Sequence, residues 1–284
     1  MTDYERSALD QLRQWQTRKT KGVLAKLSRV TSWPAEKIGD GVMKAPIVGR
    51  VIELTFEKLI GLLSDASSWS VRTGAVFADF RDHGFAHIDN FQAIGELSLE
   101  EIDGVVRHLD HKYQALAAAE GGAVGMMGAL GLTADIVSVI ALNLRAISEY
   151  AAYYGFDAAD PDEKIFALNI LLLASSPSEN ERSLAVQQLS KMTKAIGKKM
   201  GRRSLTDQVL SKVIDRMART LGANLTEAKI AQIIPIAGSA VGAGFNARYT
   251  GKVCDAARLL YRQQFLVRKY GTEILEDDKT PDAE

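Results

Sequence analysis

The chain has 284 residues, with 35 basic and 35 acidic side chains, no formal net charge, and 46% hydrophobic against 25% charged residues. That length can bury a large core as one sizeable domain or two modest ones, and the composition excludes wholesale disorder. Balanced charge argues against nucleic acid as a general partner, and the single Cys254 excludes an internal disulfide or a thiolate zinc site.

The N-terminus, MTDYERSALDQLRQWQ, is polar and lacks the apolar core of a signal peptide, so the expected location is the cytoplasm. Apolar residues recur with period 3.6 and almost never alternate, which predicts an all-α, multi-helix bundle. Residues 3–31 read as a basic amphipathic helix, with Leu9, Leu12, Trp15, Val23, Leu24 and Leu27 as its apolar positions. Pro34 and Pro46 lead into a helix over about 48–63, and another spans about 71–82. Ser98, followed by Glu100 and Glu101, reads as a helix start because acidic side chains favour the positive N-terminal end.

The stretch from Ala117 to Ile147 carries five glycines in an otherwise helix-favouring apolar run. Each costs about 1 kcal/mol relative to alanine inside a helix, so close packing, a lipid phase or a ligand must offset several kcal/mol. Gly131 reads as a helix stop, and Thr133 as the N-cap of a second helix with Asp135 in its first turn. The two helices should form a central antiparallel hairpin turning near Leu132. Pro161 then opens an apolar helix, and more polar helices fill 179–221. Thr226 is expected to start a helix that Pro235 interrupts, and a last long helix covers Ser239 to Tyr270. Residues 1–270 thus read as a single helical domain, with 271–284 an acidic, disordered tail. The tetrapeptides Pro46-Ile47-Val48-Gly49 and Pro235-Ile236-Ala237-Gly238 echo each other ahead of apolar helices, but four residues do not establish a repeat.

Several groupings bear on function. Residues 121–142 contain Asp135 as their one charge and 230–247 contain none, yet each run is broken before it offers a clean span of about 20 apolar residues. Close helix crossing suits Gly121-x-x-x-Gly125 and Gly238-x-x-x-Gly242, whether in a core or at a membrane. The basic run of Lys191, Lys194, Lys198, Lys199, Arg202 and Arg203 is either a solvated helix face or a contact for anionic lipid. All four histidines, His83, His87, His108 and His111, fall within 29 residues at same-face helical spacings, but with no HExxH they read as surface side chains rather than metal ligands. No GxxxxGK[ST] or GxSxG occurs, no catalytic set assembles, and no cofactor is expected. Glu120 and Arg145, each interrupting apolar surroundings, should lie level across the hairpin and pair. With Asn143 or Asn246 they mark either a register-fixing ion pair or a polar site in the core.

The stretches around AEGGAVGM (119–126), LGLTADIVSVIALNLRAI (130–147), YGFDAADPDEKI (154–165) and IPIAGSAVGAGFNARYTGKVCDAARLLYRQQF (234–265) resemble the EcsC family of bacterial proteins, in family order. The resemblance covers most of residues 90–270 and is weaker before 90. It implies association with an ABC-type exporter operon in some relatives, and no active site carries over from it. Two functions stay open: a non-enzymatic helical module docking on the inner face of the cytoplasmic membrane or on an integral membrane transporter, and an enzyme or small-ligand binder with a polar site among the glycine-rich helices.

Overall fold

The computed structural model describes residues 1–17, 46–124, 128–198, 207–233 and 239–275. Among these residues there is no strand, and ten α-helices longer than one turn pack together. They are α1 (Asp3–Thr17), α2 (Pro46–Ser64), α3 (Thr73–Asp82), α4 (Leu99–Val106), α5 (Leu109–Val124), α6 (Gly128–Tyr153), α7 (Pro161–Ser175), α8 (Glu179–Lys198), α9 (Asp207–Ile233) and α10 (Ser239–Tyr270). The helix predicted over 3–31 is therefore seen to Thr17, and its remainder lies outside the described residues.

Local chemistry sets several boundaries. Ser98 caps α4 through a reciprocal pair: its hydroxyl accepts from Glu101 N–H (3.3 Å), and Glu101 Oε2 accepts from Ser98 N–H (2.7 Å). Asp160 caps α7 ahead of Pro161, whose missing N–H would have had no helical partner there. Gly155 turns the chain out of α6 at φ +78°, where a Cβ would also lie 2.8 Å from Phe91 O and 2.9 Å from Arg268 Nη2. Any side chain there would be strained and crowded together.

Two expected caps are not caps. α6 begins at Gly128 and runs straight through Gly131 and Thr133, and α9 runs straight through Thr226. Thr133 and Thr226 are buried, and Thr55 Oγ1 donates to Thr133 Oγ1 (3.3 Å) across the α2–α6 contact. Packing against neighbouring helices overrides a local capping preference worth about 1 kcal/mol. At the other end, a short turn over Thr272–Leu275 follows α10, with Thr272 buried and Ile274 against the core. The described residues reach Leu275, and the rest of the expected tail, 276–284, lies outside them.

The core is continuous, running from Leu9 and Leu12 of α1 through Tyr150, Tyr154, Phe166, Tyr261 and Phe265. α6 lies in its middle and touches α2, α5, α7, α9 and α10. Gly131–Tyr153 is the one described segment long and apolar enough to cross a membrane, but more than half of it is buried inside this bundle.

Helix directions decide what meets at each end. α5 and α10 are antiparallel: a Cβ on Gly251 would lie 3.2 Å from Gln114 Cδ, and Asp110 is close enough to Asp255 to raise the latter's pKa, burial being the larger cause. Carried forward, that register sets Val124, the last residue of α5, level with Val241 near the start of α10. α2 is parallel to α6, because Thr55 meets Thr133 near the start of α6 while Trp69, just past α2, lies under Lys164 beyond its end. One end of the bundle therefore gathers the starts of α2, α6 and α10 with the ends of α5 and α9. The other holds the end of α10, where Lys269 and Tyr270 bond Glu5 of α1 (3.2 and 2.7 Å).

Candidate functional site

Near the first of these ends, three buried polar side chains close a ring. Asp135 of α6 pairs with Lys229 of α9. Lys229 Nζ also donates to Oδ1 of Asn246 on α10 (2.8 Å), and Asn246 Nδ2 donates in turn to Asp135 Oδ1 (2.8 Å). The lysine and aspartate side chains retain 5% and 11% of their exposure. Lys229 further lies over the Phe245 ring, 5.2 Å from its centroid. Burial lowers the Lys229 pKa while the Asp135 carboxylate pulls it back up. Two charges withdrawn from water are tolerated when each is paired and hydrogen-bonded, a condition the ring meets for all three members.

Farther into the bundle, a second polar layer joins two of these helices, α6 and α10. Asn143 Nδ2 donates to Thr250 Oγ1 (3.0 Å) and to Val139 O (2.6 Å), leaving Asn143 Oδ1 buried without a partner. Both asparagines singled out in the sequence are thus interior polar groups, though neither is joined to Glu120 or Arg145 in these contacts.

The expected Glu120–Arg145 pair does not form. Ser138 Oγ donates to Glu120 (3.0 Å), and Lys112 Nζ donates to Glu149 (2.6 Å), contacts that set α5 and α6 antiparallel with Glu120 level with Ser138 rather than with Arg145. Arg145 lies about two turns past Ser138, half exposed, and faces Glu149 at 3.7 Å on its own helix. The cause is the start of α6, several residues earlier than Thr133 suggested. Arg145→Ala should accordingly cost no more than about 1 kcal/mol in urea unfolding, as for an exposed i,i+4 pair, not the 3–5 kcal/mol of a broken buried one.

The histidines also separate. His83 and His108 approach the Asp79 carboxylate from two elements, at 3.5 and 4.0 Å, and Tyr153 O–H donates to that carboxylate at 2.7 Å. His87 and His111 do not join them, and no group of three or more metal-ligating side chains is found among the described residues. Lys198 closes α8, which is antiparallel to α7 with Met192 against Asn169, so it comes level with Glu163 at the end of the bundle away from the ring. Its side chain, together with Lys199, Arg202 and Arg203, lies outside the described residues.

Two further buried centres had no counterpart in the sequence reading. Asp103, near the middle of α4, accepts from Tyr4, Tyr154 and Arg262 (2.8, 2.6 and 2.8 Å), tying α1, α10 and the turn just after α6 together. Glu163, in the first turn of α7, is buried with Oε2 unpartnered, and burial pushes its carboxyl up to about 8 despite the neighbouring Tyr261 hydroxyl. The ring itself had a readable signal. Asp135 is the first charge after the uncharged run 121–134, and Lys229 is the last before the uncharged run 230–247.

The model of the EcsC protein family matches residues 6–266. The uncharacterised protein YdbA of Bacillus subtilis (strain 168) is 24% identical over 183 residues, covering 64% of each chain. Protein EcsC of the same organism is 25% identical over 177 residues, 62% of this chain and 68% of the relative. The aligned region thus spans slightly less than two thirds of YdbA. No solved structure matches.

Proposed function

Because the chain belongs to the EcsC protein family, we propose that it acts as a non-enzymatic helical module associating peripherally with the cytoplasmic membrane, directly or through an integral membrane partner of the ABC-transporter type. One observation supports this reading above the others. The Asp135–Lys229–Asn246 ring fastens α6, α9 and α10 at the bundle end from which the two uncharged, glycine-rich stretches continue. The described helix ends there, 121–124, 128–134, 230–233 and 239–247, carry no charge, which suits a surface that is not water. The ring also answers the cost of the glycines, since interlocked helices can approach where side chains are absent.

The other reading, an enzyme or small-ligand binder, draws on the unpartnered Asn143 Oδ1 beside Thr250. The ring members, by contrast, are each engaged with both of the others, as in a structural lock. Fractionation of cells producing the full chain tests the choice. The membrane reading expects most of the protein in the membrane pellet and its release by alkaline carbonate, as for a peripheral protein. Recovery in the soluble fraction at low salt would overturn it.

A further inference from the structure

We infer that the junction of α1, α8 and α10 is an anion-binding site, at which Arg182, Arg248 and Lys252 hold a phosphate group carried by a small soluble molecule or by a lipid headgroup. The inference stands apart from the membrane reading and uses no member of the ring.

Helix direction brings the three cations together. Tyr249 Oη of α10 lies 3.4 Å from Leu171 O of α7, and the Tyr261 and Phe166 rings are 5.4 Å apart, so these two helices are antiparallel. α8 is antiparallel to α7 in turn and therefore parallel to α10, which sets its first turn beside the first half of α10. Arg182 lies in that turn. Arg248 and Lys252 are one helical turn apart on α10, on the side turned away from Asn246 and the ring. α1 closes the junction. Arg182 Nη2 donates to Trp15 O (3.1 Å), and the guanidinium lies over the Trp15 ring, 4.9 Å from its centroid. The stacking fixes the plane of the guanidinium and leaves most of its N–H fork for another acceptor.

What gathers here donates and does not accept. Lys252 is partly buried, yet its ammonium makes no hydrogen bond or ion pair among the described residues. Burial lowers its pKa, the like charges of Arg248 and Arg182 lower it further, and Glu179 opposes them least. Arg182 is lowered by burial as well, again with Glu179 opposing. Gln16, next to Trp15, keeps its Nε2 buried without an acceptor. Three positive charges thus face one carboxylate, with an unmet amide donor at the same junction. Keeping an ammonium partly out of water beside two like charges costs stability, and a bound anion offsets that cost. A phosphate monoester, with about two negative charges at neutral pH and several acceptor oxygens, matches both the charge and the donors. A single carboxylate would leave positive charge unbalanced.

Calorimetric titration of the full chain with inorganic phosphate and with glycerol 3-phosphate, at ionic strength held constant with sodium chloride, tests the inference. Acetate should bind at least about tenfold more weakly than either. Arg248→Gln should weaken phosphate binding by about tenfold, whereas Lys58→Gln, which removes an exposed charge on α2, should leave it unchanged. Lys252→Met should abolish the phosphate response. Without phosphate it should also raise the melting temperature, because it removes an unpartnered ammonium from beside two like charges. A lysine that served the fold alone would lower the melting temperature on replacement. Flotation with phosphatidylcholine vesicles, with and without phosphatidic acid, separates the two carriers. Binding to phosphatidic acid that Lys252→Met removes assigns the site to a lipid headgroup. Binding of glycerol 3-phosphate without it assigns a soluble phosphate, and both outcomes support the inference. Three results would overturn it: phosphate and phosphatidic acid binding no better than acetate and phosphatidylcholine, binding that survives Arg248→Gln and Lys252→Met together, or a melting temperature that falls in Lys252→Met.

Discussion

Asp135→Leu should destabilise the fold by about 3–5 kcal/mol, because it leaves the Lys229 ammonium buried with one amide oxygen and an aromatic ring for company. The loss should shrink as pH rises. Burial holds the Lys229 pKa below its ordinary value, so the variant's folded state releases its proton before the unfolded chain does. Over that interval the unfolded state binds more protons and stability climbs with pH. Replacing all three members together, with Asp135→Leu, Lys229→Met and Asn246→Leu, should recover much of the loss, since a packed apolar triad avoids the desolvation of two charges. Urea unfolding of the single and triple variants between pH 7 and 10 would measure this. A single-variant loss below about 1 kcal/mol would mean that the ring is wet and is not what holds the three helices.

Glu163→Gln should stabilise the protein at pH 8 and flatten its stability between pH 5 and 8. Burial pushes the Glu163 carboxyl up to about 8 from an ordinary 4.5, with Asp160 and Asp162 adding like charge and with Tyr261 and Arg268 opposing. The folded state then keeps a proton that the unfolded chain has released. Its stabilising contribution is complete below the ordinary value and lost as pH rises toward 8, at about 1.4 kcal/mol per unit. The full interval is worth on the order of 3–5 kcal/mol. Glutamine keeps the size and removes the titration, and measuring urea midpoints across pH 5–8 compares the two. Parallel pH profiles for native chain and variant would show that Glu163 reaches water and ionises normally.

Much of the architecture was legible because helices announce themselves locally. The period-3.6 stripe, Ser98 ahead of its glutamates and Pro161 after Asp160 each reflect interactions within a few residues, and α4, α7 and the whole extent of α10 follow from them. The EcsC resemblance was equally readable, since it rests on short stretches in order. Thr133 and Thr226 misled for a related reason. A threonine in a capping context has the same sequence whether its hydroxyl turns back to the backbone or is buried against another helix.

The site depended on facts of another kind. Asp135, Lys229 and Asn246 are separated by 94, 17 and 111 positions along the chain, and no local rule states which helix faces which. With α6 starting several residues earlier than expected, Asp135 lies inside the helix and buried rather than in its first turn, and Arg145 faces Glu149 rather than Glu120. By itself, the sequence determined that these helices would form and that two stretches would carry no charge, since propensity and composition act residue by residue. Only the tertiary structure decided that the helix ends flanking these stretches lie at the same end of the bundle, and that Asp135 and Lys229 neutralise each other there. That outcome depends on helix direction and register, which the packing of the whole core selects.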